Sequence, residues 1–508
     1  MTPETMAPLR QRLQELSDLE GAASVLGWDQ NVAMPPGGAE ARGRQLATLA
    51  RLSHERWLDP GLEGDLAAAE RALADDPDPA HATLLRVVRR DLERAARVPA
   101  DWVARFAGHS AAAYDAWVEA RHTGRVGRVS ELLEGTLELS RELAGFFPGH
   151  AHLADPLIDR ADEGATVATL RPLFARLRAA LVPWVAAWSA VPAPAPLPPG
   201  PYGKDEQLAA ALDLAQAIGY DLGRGRQDTA PHPFAIRFAR GDVRITTRVR
   251  PDDLTEALFS SLHEAGHAMY EQAVDPALEG TPLAEGVSDG VHESQARLWE
   301  NQVARSRAFW VFALPRLQRR FPVLAGVTVE QAYRAVNRVV PSLIRTEADE
   351  VTYNLHVVLR FDLELELLEG RLAVADLPEA WAERYAADLG VRPAGHADGW
   401  LQDVHWFGGT IGGSFQGYTL GNVLSAQFFA AAQRALGDVD AMVAAGDFAP
   451  LRGWLAEHVH RYGRAKPVEQ LVRDATGGPS DVEPYLDYLR TKYEALAAAP
   501  VGAVGAPL

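Results

Sequence analysis

The chain has 508 residues with a formal net charge of −18, 47% hydrophobic and 23% charged residues, and no cysteine. That acidic balance leaves no basic stripe for a phosphate backbone, which argues against nucleic acid as a partner, while the apolar fraction is that of a soluble globular protein able to bury a large core. Without cysteine there is no disulfide framework, thiolate ligand or thiol nucleophile, so any metal site must use His, Asp or Glu.

The first residues, Met1 to Leu16, carry mixed charge and no apolar h-region, so no signal peptide is expected and the cytoplasm is the default location. Up to about residue 180 the sequence is rich in Ala, Leu, Arg and Glu, and apolar positions recur at three and four, as at Leu9, Leu13 and Leu16, which predicts helices. Residues 26–38 read as a turn-rich interruption. Within it Trp28 and Asp29, taken alone, read as a buried aromatic and a helix-capping carboxylate. The longest uncharged run, residues 179–203, is broken by Pro183 and by a proline series from Pro192 to Pro201, so it reads as a helix end plus a linker and not as a membrane span.

Residues 205–222 predict another helix, and then the texture changes. Residues 231–249 are β-branched and alternating, with Gly241-Asp242 as the turn signal, which predicts a hairpin or a three-stranded sheet. Such a strand either pairs with an extended peptide along a cleft or only props up the helix that follows. Farther on, residues 309–317, 328–340 and 341–369 are helical by period, and residues 497–508 read as a frayed tail. No linker separates independent units, so a mainly α, single large body is expected across 1–508.

The chemistry concentrates after the sheet. Leu254, Leu258, Leu262 and Met269 fall near helical spacing around His263-Glu264-Ala265-Gly266-His267, an H-E-x-x-H pattern. Histidines four apart on a helix stand one turn above each other and can share one metal ion. Glu264, about 100° round the axis, flanks that ion and can take a proton from a water molecule. A metzincin continuation would need glycine at position 270 and histidine at position 273; Tyr270 and Ala273 stand there. A third ligand must come from elsewhere, and spacing alone leaves Glu285, Asp289, His292, Glu293 and Glu300 open.

His263-Glu264-x-x-His267 followed by His292-Glu293-Ser294-Gln295 resembles the carboxypeptidase Taq family of metallocarboxypeptidases, and the resemblance implies Glu293 as the third ligand. It extends to Trp28-Asp29 with Met34-Pro35 and Gly37-Gly38, to His232-Pro233-Phe234, to Asp242-x-Arg244-x-Thr246, to Ile344-Arg345 with Ala348-Asp349, and to Gly399-x-x-Gln402-Asp403-x-His405-Trp406. What it implies is a helical fold with a deep active-site cleft, residues 1–200 walling one side and 201–496 carrying catalysis. It also implies one zinc per chain, replaceable by cobalt, a homodimer, and release of single C-terminal residues with broad tolerance but poor action next to proline.

A carboxypeptidase must grip the terminal carboxylate, and an arginine fork suits that best. The resemblance puts Arg345 foremost, with Arg244 beside it, in that role and His232 on the cleft wall. His405 and Tyr418 are the expected donors to the oxyanion, with Asp403 orienting a ligand imidazole. Two departures stand out: Phe415-Gln416-Gly417 precede Tyr418 where some relatives carry aromatic-Pro-Thr, and Asp289 replaces an apolar residue, adding a carboxylate one turn before Glu293 that would compete as a ligand or act as a base. The glycine-rich run 408–422 is expected to be flexible or in close contact with something. The rival reading is a helical zinc oligopeptidase or endopeptidase with the same metal site and an open cleft. A non-enzymatic protein with a vestigial site is argued against by the intact Glu264.

Overall fold

Helix-favouring composition produces helices almost throughout the computed structural model, which describes residues 3–75 and 78–498. The N-terminal part forms α1 (Pro3–Val32), α2 (Ala39–Trp57), α3 (Pro60–Asp75), α4 (Pro79–Arg97), α5 (Ala100–Thr123), α6 (Gly127–Gly145), α7 (Asp155–Ala161) and α8 (Val167–Ser189). Starts are marked by side-chain caps: Asp78 accepts from the Ala80 and His81 amides, and Thr166 forms a capping box with Thr169. The expected loop is shorter than residues 26–38, because α1 continues through Val32. Asp29 is therefore not a cap; it pairs with Arg42 of α2 at 2.7 Å, whose guanidinium also reaches the Leu26 carbonyl. Trp28 is buried as expected.

The proline run after α8 is irregular, and α9 (Lys204–Ile218) follows it. Next come β1 (Gln227–Thr229), β2 (Ala235–Ala239) and β3 (Asp242–Thr247), in the order β1-β3-β2. β2 and β3 form the expected hairpin, with Ile236 opposite Arg244, and β1 joins β3 in parallel, with Gln227 opposite Ile245. Val243 and Ile245 on β3 are wholly buried in the core that holds α10 (Leu254–Ala273), so the central strand props the first metal helix.

Asp253 caps α10 and Ser288 caps α11 (Asp289–Arg297), which runs on into a π-helical segment, Leu298–Ala304. Then come α12 (Arg307–Arg320) and α13 (Val329–Val336). The helix expected from residue 341 begins only at α14 (Tyr353–Leu368). In between, the Asp349 carboxylate accepts from the backbone amides of Val340, Val351 and Thr352, and so holds the chain in a loop instead of a helix. That loop carries Arg345. The chain finishes with α15 (Leu377–Leu389), α16 (His405–Gly408), α17 (Gln416–Leu436), α18 (Val439–Ala445), α19 (Ala449–His458), α20 (Val468–Thr476) and α21 (Glu483–Ala498). Of the expected frayed tail, Ala497 and Ala498 instead complete α21, and 499–508 lie outside the described residues.

Early and late parts of the chain share cores. One core joins α5–α8 with α14–α17 and α21, and another joins α9, the sheet and α10–α13 with α17–α20. α17 belongs to both, with Val423 and Ala426 in the first and Leu424 and Phe428 in the second. A third, smaller core holds α1, α3 and α4 and touches Leu283. Between these N-terminal helices, α7 and the start of α11 lies a cleft of about 1200 Å³. Among the described residues no helix is long and apolar enough to cross a membrane.

Candidate metal centre and active site

α10 stacks His263 and His267 one turn apart, with ring centroids separated by 4.9 Å. From the neighbouring α11, Glu293 Oε2 lies 3.8 Å from His263 Nε2 and 3.6 Å from His267 Nε2, and one ligand atom from each residue falls within 4.8 Å of the others. Four-coordinate bonds of about 2.0–2.1 Å place ligand atoms roughly 3.4 Å apart, so Glu293 already stands within a few tenths of an ångström of that spacing from each histidine, and the trio could hold a metal ion. The approach of α11 to α17 is what seats Glu293. A Cβ on Gly421 would fall 2.4 Å from Glu293 Cγ, so only glycine lets the helices meet there.

Each donor is held from behind. His263 Nδ1–H donates to Glu300 on the π-helical segment at 2.9 Å. His267 Nδ1 meets His292 Nδ1 at 2.6 Å, and His292 Nε2 meets Glu271 at 2.7 Å. With His267 donating to His292 and His292 to Glu271, both ligand rings keep an unprotonated Nε2 facing Glu293. The other oxygen of Glu293 accepts from Arg297 at 2.6 Å.

Electrostatics favour a cation between them. Burial opposes charge on His263, but Glu293 and Glu300 outweigh it and its pKa is raised. Burial and the neighbouring His292 push His267 down to about 3, which leaves it neutral and able to ligate. Burial alone would raise Glu293, yet Arg297 and His263 hold it well below the usual carboxylate range. Glu264, buried beside them, is pushed up to about 7 by loss of water, opposed by His263 and reinforced by Glu293. A carboxyl poised near neutrality can both accept and return a proton.

A second group gathers next to the trio. Tyr418 stands one turn before Gly421 on α17, and its hydroxyl meets His405 Nε2 at 3.1 Å. Burial keeps the phenol protonated, and burial and then Arg345 hold His405 down to about 4, so both groups are neutral. Arg345 is buried, its guanidinium 4.9 Å over the Tyr418 ring. It donates through Nε and Nη2 to Asp403 and through Nη1 to the Tyr353 hydroxyl at 2.9 Å. A guanidinium has five N–H groups, so two remain. His232, on the approach to β2, is an exposed residue beside this group; partial loss of water and then Arg345 and Arg248 lower its pKa.

A His, His, Glu trio with half-buried imidazoles, a buried carboxylate and a carboxylic acid beside it is the arrangement of a metal-dependent hydrolase. Comparison with known proteins identifies which kind: the model of the carboxypeptidase Taq (M32) metallopeptidase matches residues 8–493.

The chain belongs to that family.

A crystal structure of the M32 carboxypeptidase of Deinococcus radiodurans is 49% identical and superposes with a TM-score of 0.95, covering 98% of this chain and 100% of that one. Thermostable carboxypeptidase 1 of Thermus thermophilus is 40% identical over 98% of this chain and 100% of its own length. Carboxypeptidase 1 of Bacillus subtilis is 34% identical over 95% of this chain and 97% of its own. The chain is accordingly a peptide-bond hydrolase with metallocarboxypeptidase function.

Set in the family's frame, the candidate residues separate into distinct places. Of the five candidates for the third position, Glu293 joins the histidines, Glu300 and His292 back them, and Glu285 pairs with Arg464 at 3.3 Å. Asp289 lies outside the trio and faces the cleft. Asp403 does not orient a ligand imidazole: it is held by Arg345 and by Arg360 at 2.6 Å, and that task falls to Glu300. Arg244 sits apart from Arg345. Its fork is filled by Asp242, and it stacks 4.5 Å over Trp28 and 4.7 Å over Phe238, joining the sheet to α1. Sequence reasoning missed Glu271, Arg297 and Arg360. The first two had a signal, each lying four residues after a ligand candidate on the same helical face.

Proposed function

We propose that the metallocarboxypeptidase chemistry of this chain runs at a zinc site of His263, His267 and Glu293, with cobalt able to replace zinc. The observation that carries the reading is the trio of converging donors, each backed by its own hydrogen bond, with Glu264 beside it. When bound, the ion supplies a Lewis acid for the scissile carbonyl and lowers the pKa of water. Glu264 takes the proton of the attacking water and returns it to the leaving amine, consistent with a pKa pushed up to about 7. Tyr418, neutral and hydrogen-bonded to His405, donates to the carbonyl oxygen as charge grows on it. Arg345, fixed by Asp403 and Tyr353, receives the terminal carboxylate with its two remaining N–H groups, and His232 closes that end. Broad side-chain tolerance, poor action next to proline and a homodimer complete the reading on the family resemblance, and sedimentation or light scattering would test the last.

Mass spectrometry of products tests the rest, using one unmodified peptide and its C-terminally amidated twin, each with wild type and with Glu264→Gln. Stepwise C-terminal loss from the free acid alone, abolished in the variant, is the expected result. The cleft of about 1200 Å³ is the observation favouring an endopeptidase or oligopeptidase instead. Internal cleavage of both peptides would decide for that reading.

A further inference from the structure

The cleft that opens from His292 and Asp289 is rich in arginine, and nearly all of it is neutralised. Arg90 and Arg94 bind Asp159, Arg464 binds Asp91 at 2.9 Å, and Arg237 binds Glu279 at 2.8 Å. Arg160 differs. Its side chain stays exposed on the cleft wall, and among the described residues no hydrogen bond or ion pair holds it. An unpaired guanidinium on a concave wall is open to a carboxylate ligand.

Its position relative to the catalytic helices is fixed mechanically. α7 ends at Ala161, and the next residue, Asp162, is buried. Asp162 accepts from the Gly290 amide at 2.8 Å and from Gln416 Nε2 at 3.0 Å. Gly290 opens α11 three residues before Glu293, and Gln416 opens α17 two residues before Tyr418. Gly290 has no room for a side chain, since a Cβ there would meet Leu420 Cβ at 2.8 Å and Asp162 Oδ1 at 3.0 Å. The end of α7 is thus tied to both helices that carry the chemistry, and Arg160 stands two residues from the knot.

We propose that Arg160 is a specificity residue that takes the side-chain carboxylate of an Asp or Glu lying upstream of the scissile bond in the bound peptide. This rests on the carboxypeptidase reading above, in which the terminal residue sits on the Arg345, Tyr418 and His405 side. Neither those three nor the His263, His267 and Glu293 trio lines the cleft, which reaches the centre at Asp289 and at His292 behind His267; on this reading it takes the remainder of the peptide. Carboxylates crowd the same wall, Asp289, Glu20 and Glu285 among them, which confines the preference to the one position that reaches Arg160.

The test is a set of peptides with one Glu moved through successive upstream positions of an otherwise neutral sequence, each paired with its Gln twin. The ratio of kcat/KM for Glu over Gln is taken within each enzyme, so any general loss of activity or fold cancels. Wild type is expected to prefer Glu at one position by about two- to fivefold, the scale of a charge pair open to water. Arg160→Gln brings that ratio to one, Arg160→Lys keeps part of it, and Arg160→Glu drops it below one. A ratio near one at every position in wild type, or a preference that survives Arg160→Gln, overturns the proposal. So does an equal loss with all peptides together with lost discrimination between free acid and amide, which would make Arg160 the terminal-carboxylate residue. Failure of the carboxypeptidase reading looks different, because the neutral peptides would then be cleaved internally or not at all.

Discussion

Gly421→Ala isolates the fit between α11 and α17. The added methyl carbon would lie 2.4 Å from Glu293 Cγ and 2.6 Å from Glu293 Cβ, whereas ordinary carbon contacts begin near 3.4 Å. About 1 Å of movement is therefore required, and Cβ of Glu293 is too close to its backbone to supply it by rotation. Either the helices part, at an overpacking cost of about 1–3 kcal/mol, or Glu293 turns away from His263 and His267. Metal sites tolerate bond-length errors of only about 0.2 Å, so a displacement of that size should weaken binding, roughly 10- to 100-fold on the scale of lost supporting contacts. The assay is chelator competition for zinc alongside thermal unfolding of the metal-free protein. Gly453→Ala is the control: it is an exposed glycine on α19 with nothing within 4 Å of its added Cβ, where alanine should stabilise the helix by about 0.5–1 kcal/mol. Unchanged zinc affinity and an unchanged Tm in Gly421→Ala would refute the claim that glycine is required there.

Three further outcomes are expected. His292→Ala removes the group between His267 and Glu271, so zinc affinity measured by chelator competition should fall about 10- to 100-fold while Tm of the metal-free protein changes less than in Gly421→Ala. Tyr418→Phe deletes a donor but no ring, so kcat should fall by about 10²-fold or more with KM little changed; an equal loss in both would assign the phenol to ground-state binding. Glu364 is pushed up to about 7 by burial, opposed by its hydrogen bond from Trp406. Since its folded pKa lies above the unfolded value, the native state holds the proton longer; the neutral form's stability is complete below about 4.5 and is lost as pH rises through about 7, a change on the order of 3 kcal/mol. Glu364→Gln should flatten that part of the denaturation midpoint between pH 5 and 8, and an unchanged pH profile would count against it.

The helices and H-E-x-x-H were legible because both are local: spacing of three and four fixes which side chains share a face, whatever packs on them. Glu293 was not separable from His292 or Glu300 by spacing, since the choice depends on how α11 meets α10 and runs into the π-helical segment, which only tertiary packing sets. The short β1 escaped notice because three residues pairing in parallel with a distant strand leave no alternation to read. Residues 341–352 misled by period, because Asp349 captures three amides that a helix would have used. The glycine run from 408 to 422 read correctly as close contact at Gly417 and Gly421, which face Asp289 and Glu293, while Gly412 and Gly413 adopt φ of 90° and 147°.

Arg345 raises the question of how a fork already bonded to Asp403 and Tyr353 could still select a free C-terminus. Charge gives the answer. Arg345 and Arg360 share the carboxylate of Asp403, the neighbouring His405 and Tyr418 are neutral, and Glu364 near Arg360 keeps its proton below about pH 7, so there the cluster keeps one uncompensated positive charge. Burial lowers both that charge's hydration and the freedom of the group bearing it, and the bonds to Asp403 and Tyr353 hold the guanidinium in place before substrate arrives. A terminal carboxylate would neutralise the cluster at little reorganisation cost, whereas an amide would lose its own water and leave the charge unmatched. On this argument the discrimination between free acid and amide comes from the charge count of a locked cluster, and it should persist at ionic strengths that screen exposed pairs.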